Sequence, residues 1–287
     1  MGLGTVIVAG GGVVRDGVVH ELRELVDRTQ AGVFNSWAAK GLFQWDNPAH
    51  LGTIGLQRDD LALAQLNQAD EVLMLGIDEA EIPRASLSVL NIGWRNVSTS
   101  EISSLQINIR DSFVARPALY GAIAAVCGPM YTQDTMPMNP ARAAADLAAH
   151  MPENAFVVAD ANICGFWLGR TFPTRQLGSV LLPTTPIPGF AATAAMTAAR
   201  VGQTAIIVTD GIDEVTESVL ERARSINASF VVEIWSQDAQ PLSSQDRIMR
   251  LQTAIQNGGV ASLELGVDFA RRKDLEEVAG PICVWGL

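Results

Sequence analysis

The residues best placed to do chemistry close the apolar run Ala205 to Thr209, where Asp210, Gly211, Asp213 and Glu214 follow within five positions. A short, nearly continuous apolar run reads as a parallel strand buried on both faces, and open α/β sheets bind ligands beyond the carboxyl ends of such strands. Asp210 beside a glycine that admits close backbone approach suits a hard cation, Mg²⁺ or Ca²⁺, with oxygen ligands. The same residues also read as an Asp210-Gly211 turn before a helix whose dipole Asp213 and Glu214 offset. Spacing alone favours the turn and leaves the cation site open.

A second cluster, Gly10-Gly11-Gly12, ends the first strand just before a helix that begins near Asp16. Glycines there permit a tight turn, and they also let the phosphate of an adenine nucleotide or FAD approach backbone amides. The six-residue spacing of a dinucleotide fingerprint is not met, which favours the structural turn. Other chemistries lack their patterns. No Gly-x-Ser-x-Gly occurs, zinc-type spacing is absent, and His20, His50 and His150 lie far apart, as expected of surface or capping residues.

These candidates need strands to position them. Thr5 to Ala9, Val72 to Leu75, Phe156 to Ala159, Ala205 to Thr209 and Phe230 to Val232 are buried-strand runs, and Leu105 to Ile109 alternates like a strand with one exposed face. Between them Asp16 to Arg28, Asp59 to Gln68, Ala115 to Val126, Pro140 to His150, Ala191 to Val201, Glu214 to Asn227 and Gln245 to Asn257 carry apolar residues at helical spacing. The alternation predicts an α/β chain of two doubly wound, Rossmann-like parallel-sheet domains. Gly128 to Asn139 is rich in turn formers and predicts a linker, giving domains at 1–128 and 140–287 with 129–139 between them.

Composition narrows the partners. A net charge of −11, with Arg271-Arg272-Lys273 as the tight basic group, lacks the footprint that phosphate-backbone binding needs, and it disfavours an anionic membrane. Cys127, Cys164 and Cys283 are dispersed and odd in number, which predicts reduced thiols and a cytoplasmic setting. The beginning of the chain shows no leader pattern, and no apolar run approaches the roughly 18 residues of a spanning helix.

Larger stretches fall into a familiar order. Thr5 to Gly17, Lys40-Gly41-Leu-Phe, Asn47-Pro48-Ala-His-Leu-Gly52-Thr-Ile-Gly55 and Ala69 to Gly76 together resemble the central domain of thiamine diphosphate enzymes of the acetolactate synthase and 2-oxoacid decarboxylase type. The second half resembles that family's diphosphate-binding domain. Asp160 precedes Trp167 by seven residues, Pro188-Gly189-Phe190-Ala191 sits where the family has Met-Gly-Phe-Gly, and Thr209-Asp210-Gly211 replaces its Gly-Asp-Gly.

The resemblance implies a cofactor site for thiamine diphosphate with Mg²⁺. Gly189, Asp210, Gly211, Ser236 and Gln237 match its cofactor-binding positions, and Asp210 and Gln237 its metal ligands. The motifs are altered. Ser236 and Gln237 stand where the family has an Asn-Asn pair, Thr209 replaces a glycine, and Pro188 replaces the apolar residue that bends the cofactor. Cys164 and Gly165 stand where many relatives carry His and Gln. The pyrimidine-binding domain, whose glutamate activates the cofactor, has no counterpart in this sequence.

Three expectations follow. In the first the chain is the diphosphate- and Mg²⁺-binding subunit of a split decarboxylase or carboligase, paired with a chain that carries the pyrimidine domain. The second is a non-catalytic relative kept for binding or assembly. The third is a nucleotide-binding module that uses Gly10 to Gly12. The split reading predicts a hetero-oligomer, and a homo- or hetero-oligomer is the general expectation, with a homodimer as the default on base rates.

Overall fold

The run Thr5–Ala9 forms β1, with every residue buried, and the first sheet is built outward from it. The computed structural model describes residues 4–89 and 91–287. In the first unit β1 is followed by α1 (Gly11–Arg15), α2 (Val19–Thr29), β2 (Gly32–Ser36), β3 (His50–Ile54), α3 (Asp60–Leu63), β4 (Glu71–Leu75), α4 (Arg84–Val89) and β5 (Arg95–Val97). The five strands are parallel, in the order β3-β2-β1-β4-β5. Alternate residues of the central strands feed two apolar layers. Ile7, Ala9, Leu73 and Leu75 join the layer under α2, while Val6, Val8, Val72 and Met74 join the opposite one. Leu22, Leu25 and Val26 seal α2 onto its layer at helical spacing.

Helix α5 (Ala118–Met130) carries the chain onward to α6 (Pro140–His150), β6 (Phe156–Ala159), α7 (Ile163–Thr171), β7 (Val180–Leu181), α8 (Phe190–Ala199), β8 (Ala205–Thr209), α9 (Glu214–Ser225), β9 (Phe230–Ser236), α10 (Ser244–Asn257), β10 (Val260–Gly266) and α11 (Arg272–Ala279). The second sheet is also parallel, in the order β10-β9-β8-β6-β7. Each sheet is doubly wound, as expected. The units divide at Ala125 and Val126, and the short segments Thr174–Leu177 and Leu275–Gly286 pack as part of the first.

Three local expectations are corrected. Leu105 to Ile109 is not a strand: Leu105 and Ile107 are half-buried against the α2 layer, so the alternation reflects packing of an extended segment without a ladder. The first helical pattern begins later than Asp16, at Val19, because Gly17 (φ +71°) breaks the helical path, and the glycine turn before it forms the separate short helix α1. Helix α5 continues through Gly128 to Met130, into the stretch read as a linker. Among the described residues no helix is long and apolar enough to cross a membrane.

Candidate functional site

In the second unit the strand order reverses between β6 and β8, which is where an open α/β sheet leaves a crevice at its carboxyl edge. A cavity of about 480 Å³ lies there. Its floor carries Asp160 and Asn162 after β6, Thr209 at the end of β8 and Asp210 and Gly211 after it, and Asp213 completes the acidic wall. Pro186, Ile187 and Pro188 form an apolar side leading to Gly189.

Each polar group is held by its own local structure. Asn162 caps α7: its Oδ1 accepts from the Cys164 and Gly165 amides, both at 3.1 Å. That fixes which end of the amide faces the cavity, so Nδ2 donates to Asp210 Oδ1 at 2.7 Å and to Thr209 Oγ1 at 3.3 Å. The Thr209 hydroxyl donates to the Gly211 carbonyl at 2.8 Å, folding the β-branched side chain into the turn. Asp210 Oδ2 has no protein partner among the described residues.

The two remaining carboxylates serve helix starts. Asp160 Oδ1 accepts from the Ala191 amide in the first turn of α8 at 2.9 Å. Burial pushes the Asp160 carboxyl above its ordinary value, Ala191 opposes that shift, and the charges of Asp213 and Asp210 add to it. Asp213 caps α9 by accepting from the Thr216 amide at 2.6 Å, and this bond holds its carboxyl below the usual range. Cys164 lies fully buried beneath the site. Burial, then the charges of Asp210, Asp160 and Glu233, raise its thiol well above the ordinary value, as in a buried structural cysteine.

The structure brings three of the expected site residues together, since Gly189, Asp210 and Gly211 all line the cavity. Gly189 adopts φ +69° as the residue before α8, a conformation that favours glycine. Ser236 and Gln237 are not in the lining. Ser236 ends β9, with its hydroxyl accepting from the Asp238 amide at 3.1 Å, and Gln237 is exposed beyond it. Asn162 and Asp213 were not among the expected ligands, and Asp160 stood out only as half of the Asp-Trp interval. A carboxylate and an amide directly after the run Phe156 to Ala159 were the available signal.

The lining can be tested against thiamine diphosphate. A divalent cation fits beside Asp210, whose free oxygen is the kind of hard donor such ions take. No Lys, Arg or His lines the cavity, and three carboxylates do. A diphosphate is therefore repelled unless a cation lies between it and the protein. Among the described residues no three His, Cys, Asp or Glu side chains converge on one metal position, so a cation here needs oxygens from its ligand.

The equivalent crevice in the first unit is closed. Gly10 donates to the Leu75 carbonyl at 2.9 Å and Gly12 to the Gly76 carbonyl at 2.8 Å, so the two turns at the switch point touch. A Cβ on Gly10 would stand 2.4 Å from the Gly76 oxygen. Glu81, 1% exposed, occupies the position where a phosphate would meet the turn. Its Oε1 accepts from the Gly11 amide at 2.9 Å and the Ser36 hydroxyl at 2.8 Å, and its Oε2 from the Asp78 amide at 2.7 Å. The glycines serve close backbone packing, and the expectation of FAD or an adenine nucleotide at Gly10, Gly11 and Gly12 finds no support.

The histidines divide. His20 and His150 are exposed, but His50 is buried, contrary to a surface or capping role. Its Nε2 meets Asn35 Oδ1 at 2.8 Å and its Nδ1 faces the Trp45 carbonyl at 3.2 Å.

Residues 4–125 match the model of the thiamine pyrophosphate enzyme central domain. The probable acetolactate synthase large subunit of Methanocaldococcus jannaschii is 25% identical over 210 residues, 61% of this chain and 35% of that protein. A sulfoacetaldehyde acetyltransferase of Castellaniella defragrans is 39% identical over 71 residues, 25% of this chain and 12% of that protein. In fold, the thiamine diphosphate-dependent 4-hydroxybenzoylformate decarboxylase of Rhodococcus jostii RHA1 superposes with a TM-score of 0.67 at 14% identity, over 94% of this chain and 62% of that one. Benzoylformate decarboxylase from Polynucleobacter necessarius gives 0.64 at 14% identity, over 91% and 61%. The chain thus spans only part of the length of the proteins it matches. Residues 4–125 thus match the thiamine pyrophosphate enzyme central domain, the likeness to an acetolactate synthase large subunit runs beyond them, and the fold is that of these thiamine diphosphate-dependent decarboxylases.

Proposed function

We propose that the cavity of the second unit holds the diphosphate end of thiamine diphosphate through Mg²⁺, as part of a 2-oxoacid decarboxylase or carboligase assembled with polypeptide outside this sequence. The observation that carries it is Asp210, oriented by Asn162 at the carboxyl end of β8 with one oxygen free toward the cavity. Asp210 would hold the cation, and Gly189 and Gly211 would allow the cofactor to approach the backbone. Ser236, the last residue of the strand next to β8, and Gln237 just beyond it are the proposed completion of the ligand set. When bound, thiamine diphosphate supplies the carbanion and the electron sink of the reaction. This chain contributes binding and orientation. The glutamate that activates the cofactor would come from a partner or a further segment, and the setting would be cytoplasmic.

Calorimetric titration with thiamine diphosphate, with and without Mg²⁺, tests the proposal. Binding should require Mg²⁺, vanish in Asp210→Ala and weaken in Gln237→Ala. Binding without metal, or unchanged by Asp210→Ala, would remove Asp210 from the site.

A second reading, a non-catalytic relative, is favoured by a separate observation: Asp160 and Asp213 already take amides at the starts of α8 and α9. Those donors are then not available to an anion. Absence of binding with Mg²⁺ present, in the chain together with a reconstituted pyrimidine domain, would favour this reading.

A further inference from the structure

We propose that the first unit carries a second binding site, for a small oxyanion, on the side of α2. A cavity of about 260 Å³ lies between Arg23 and Asp27 of α2, Phe43, Gln44 and Asn47 of the loop after β2, and the segment that bears Arg175. Its walls are fixed by backbone contacts. The Trp45 amide donates to the Thr174 carbonyl at 3.0 Å, and a Cβ on Gly41 would stand 2.8 Å from the Gln176 oxygen. Only glycine at that position, with φ +95°, lets the segment lie this close.

Two guanidinium groups reach this space. Arg23 is half-buried, and the Leu42 carbonyl at 2.8 Å and the Gly41 carbonyl at 3.5 Å hold its Nε and Nη2. Its Nη1 remains uncommitted. Arg175 is exposed and makes no ion pair or hydrogen bond among the described residues. Arg23 and Asp27 stand one turn apart on α2 without forming an ion pair, so the carboxylate does not consume the charge. A held arginine and a free one facing a polar cavity are the arrangement that recognises carboxylate or phosphate oxygens. Phe43, 6% exposed, adds an apolar side chain to the lining, while Asp27 disfavours polyanions. The site therefore takes a singly charged or small divalent oxyanion, unlike the acidic cavity of the second unit.

Titrations of the full chain with inorganic phosphate and with acetate, followed by calorimetry and by the thermal midpoint, test this. Saturable binding of at least one anion is expected. Arg175→Ala should weaken it about tenfold or more, as loss of a charge-assisted pair does. Arg23→Gln should do the same, and Arg28→Ala, an exposed arginine of α2 outside the cavity, should leave it unchanged. Phosphate-selective binding would mark a phosphorylated ligand and acetate-selective binding a carboxylate. No binding of either, or binding that survives Arg175→Ala or falls equally with Arg28→Ala, overturns the site.

Discussion

Asn162 Nδ2 donates to Asp210 Oδ1 at 2.7 Å, so the residue that caps α7 also sets the direction of the carboxylate after β8. One side chain thereby ties a helix start to the group best placed to hold a cation. Structural and functional roles of Asn162 should be separable, because different atoms perform them.

Asn162→Ser keeps a capping oxygen and removes the amide that reaches Asp210, its hydroxyl lying one bond short of that position. Its stability should change by only a few tenths of a kcal/mol, whereas Asn162→Ala should lose about 1 kcal/mol as an N-cap deletion. Both should weaken Mg²⁺-dependent binding of thiamine diphosphate. Urea denaturation and calorimetry on the two variants check this, and intact binding in Asn162→Ser would show that Asp210 needs no positioning.

Glu81 should make the stability of the first unit depend on pH. Burial, its largest influence, raises the carboxyl above its ordinary value, the Asp78 and Gly11 amides and Ser36 oppose this, and the Asp78 charge adds to it. A raised folded value means that this contribution is fully present below the ordinary carboxylate range and is lost as pH rises through the raised value. Glu81→Gln cannot titrate, and whichever way its amide points, Nε2 must face a backbone N–H of Gly11 or Asp78, a defect of about 1–3 kcal/mol. The gap between wild type and variant in urea midpoint should therefore shrink as pH rises through that window. A gap independent of pH would mean that the carboxyl titrates alike in folded and unfolded chains.

The contrast between the two switch points shows what was legible in the sequence. Five apolar runs marked both sheets, because a strand buried on two faces leaves a continuous signal. Strands β2 and β3 left none: Asn35, Ser36, His50, Gly52 and Thr53 interrupt them, and of the polar side chains Asn35, His50 and Thr53 bond across the two strands while Ser36 bonds Glu81. Asp210 was legible as a strand-end carboxylate. Asn162 and Asp160 act through partners brought from other elements, which spacing does not record, whereas Asp213 caps its own helix, as its place before Glu214 suggested. Gly10 to Gly12 had the composition of a phosphate turn, and only the fold reveals that Gly76 and Glu81 fill the space.

His50 should impose an acid limit on the same unit. Burial, then the charges of Lys40 and Arg116, lower it from 6.5 to about 4, against the opposing pull of the Trp45 carbonyl. A depressed folded value favours the neutral ring. Its contribution is complete above the unfolded value and is lost as pH falls toward about 4. The full interval corresponds to roughly 3 kcal/mol. His50→Gln should remove this dependence, so denaturation midpoints of wild type and variant should converge between pH 6.5 and about 4. Parallel curves would show that the imidazolium is accommodated, through Asn35 Oδ1 and the Trp45 carbonyl.

In the second unit the anchor of β9 is an ion pair out of reach of water. Arg247 and Glu233 have side chains 2% and 1% exposed, joined from Nη2 to Oε2 at 2.6 Å and from Nε to Oε1 at 3.1 Å. Trp235 Nε1 also donates to Glu233 at 3.1 Å, and Arg247 Nη1 donates to the Ala143 carbonyl at 2.8 Å, so α10, α6 and β9 meet at one charge. Removing one partner strands the other, and Glu233→Ala should cost about 3–5 kcal/mol. Replacing both residues with Met and Leu restores an apolar interior of similar volume and should recover most of that loss. Ser236 lies three residues along the same strand from Glu233. A double variant that regains stability but binds Mg²⁺ and thiamine diphosphate less tightly would show that the pair aims the end of β9 at the cation. Equal loss of stability in the single and double variants would instead make the charge itself indispensable to the fold.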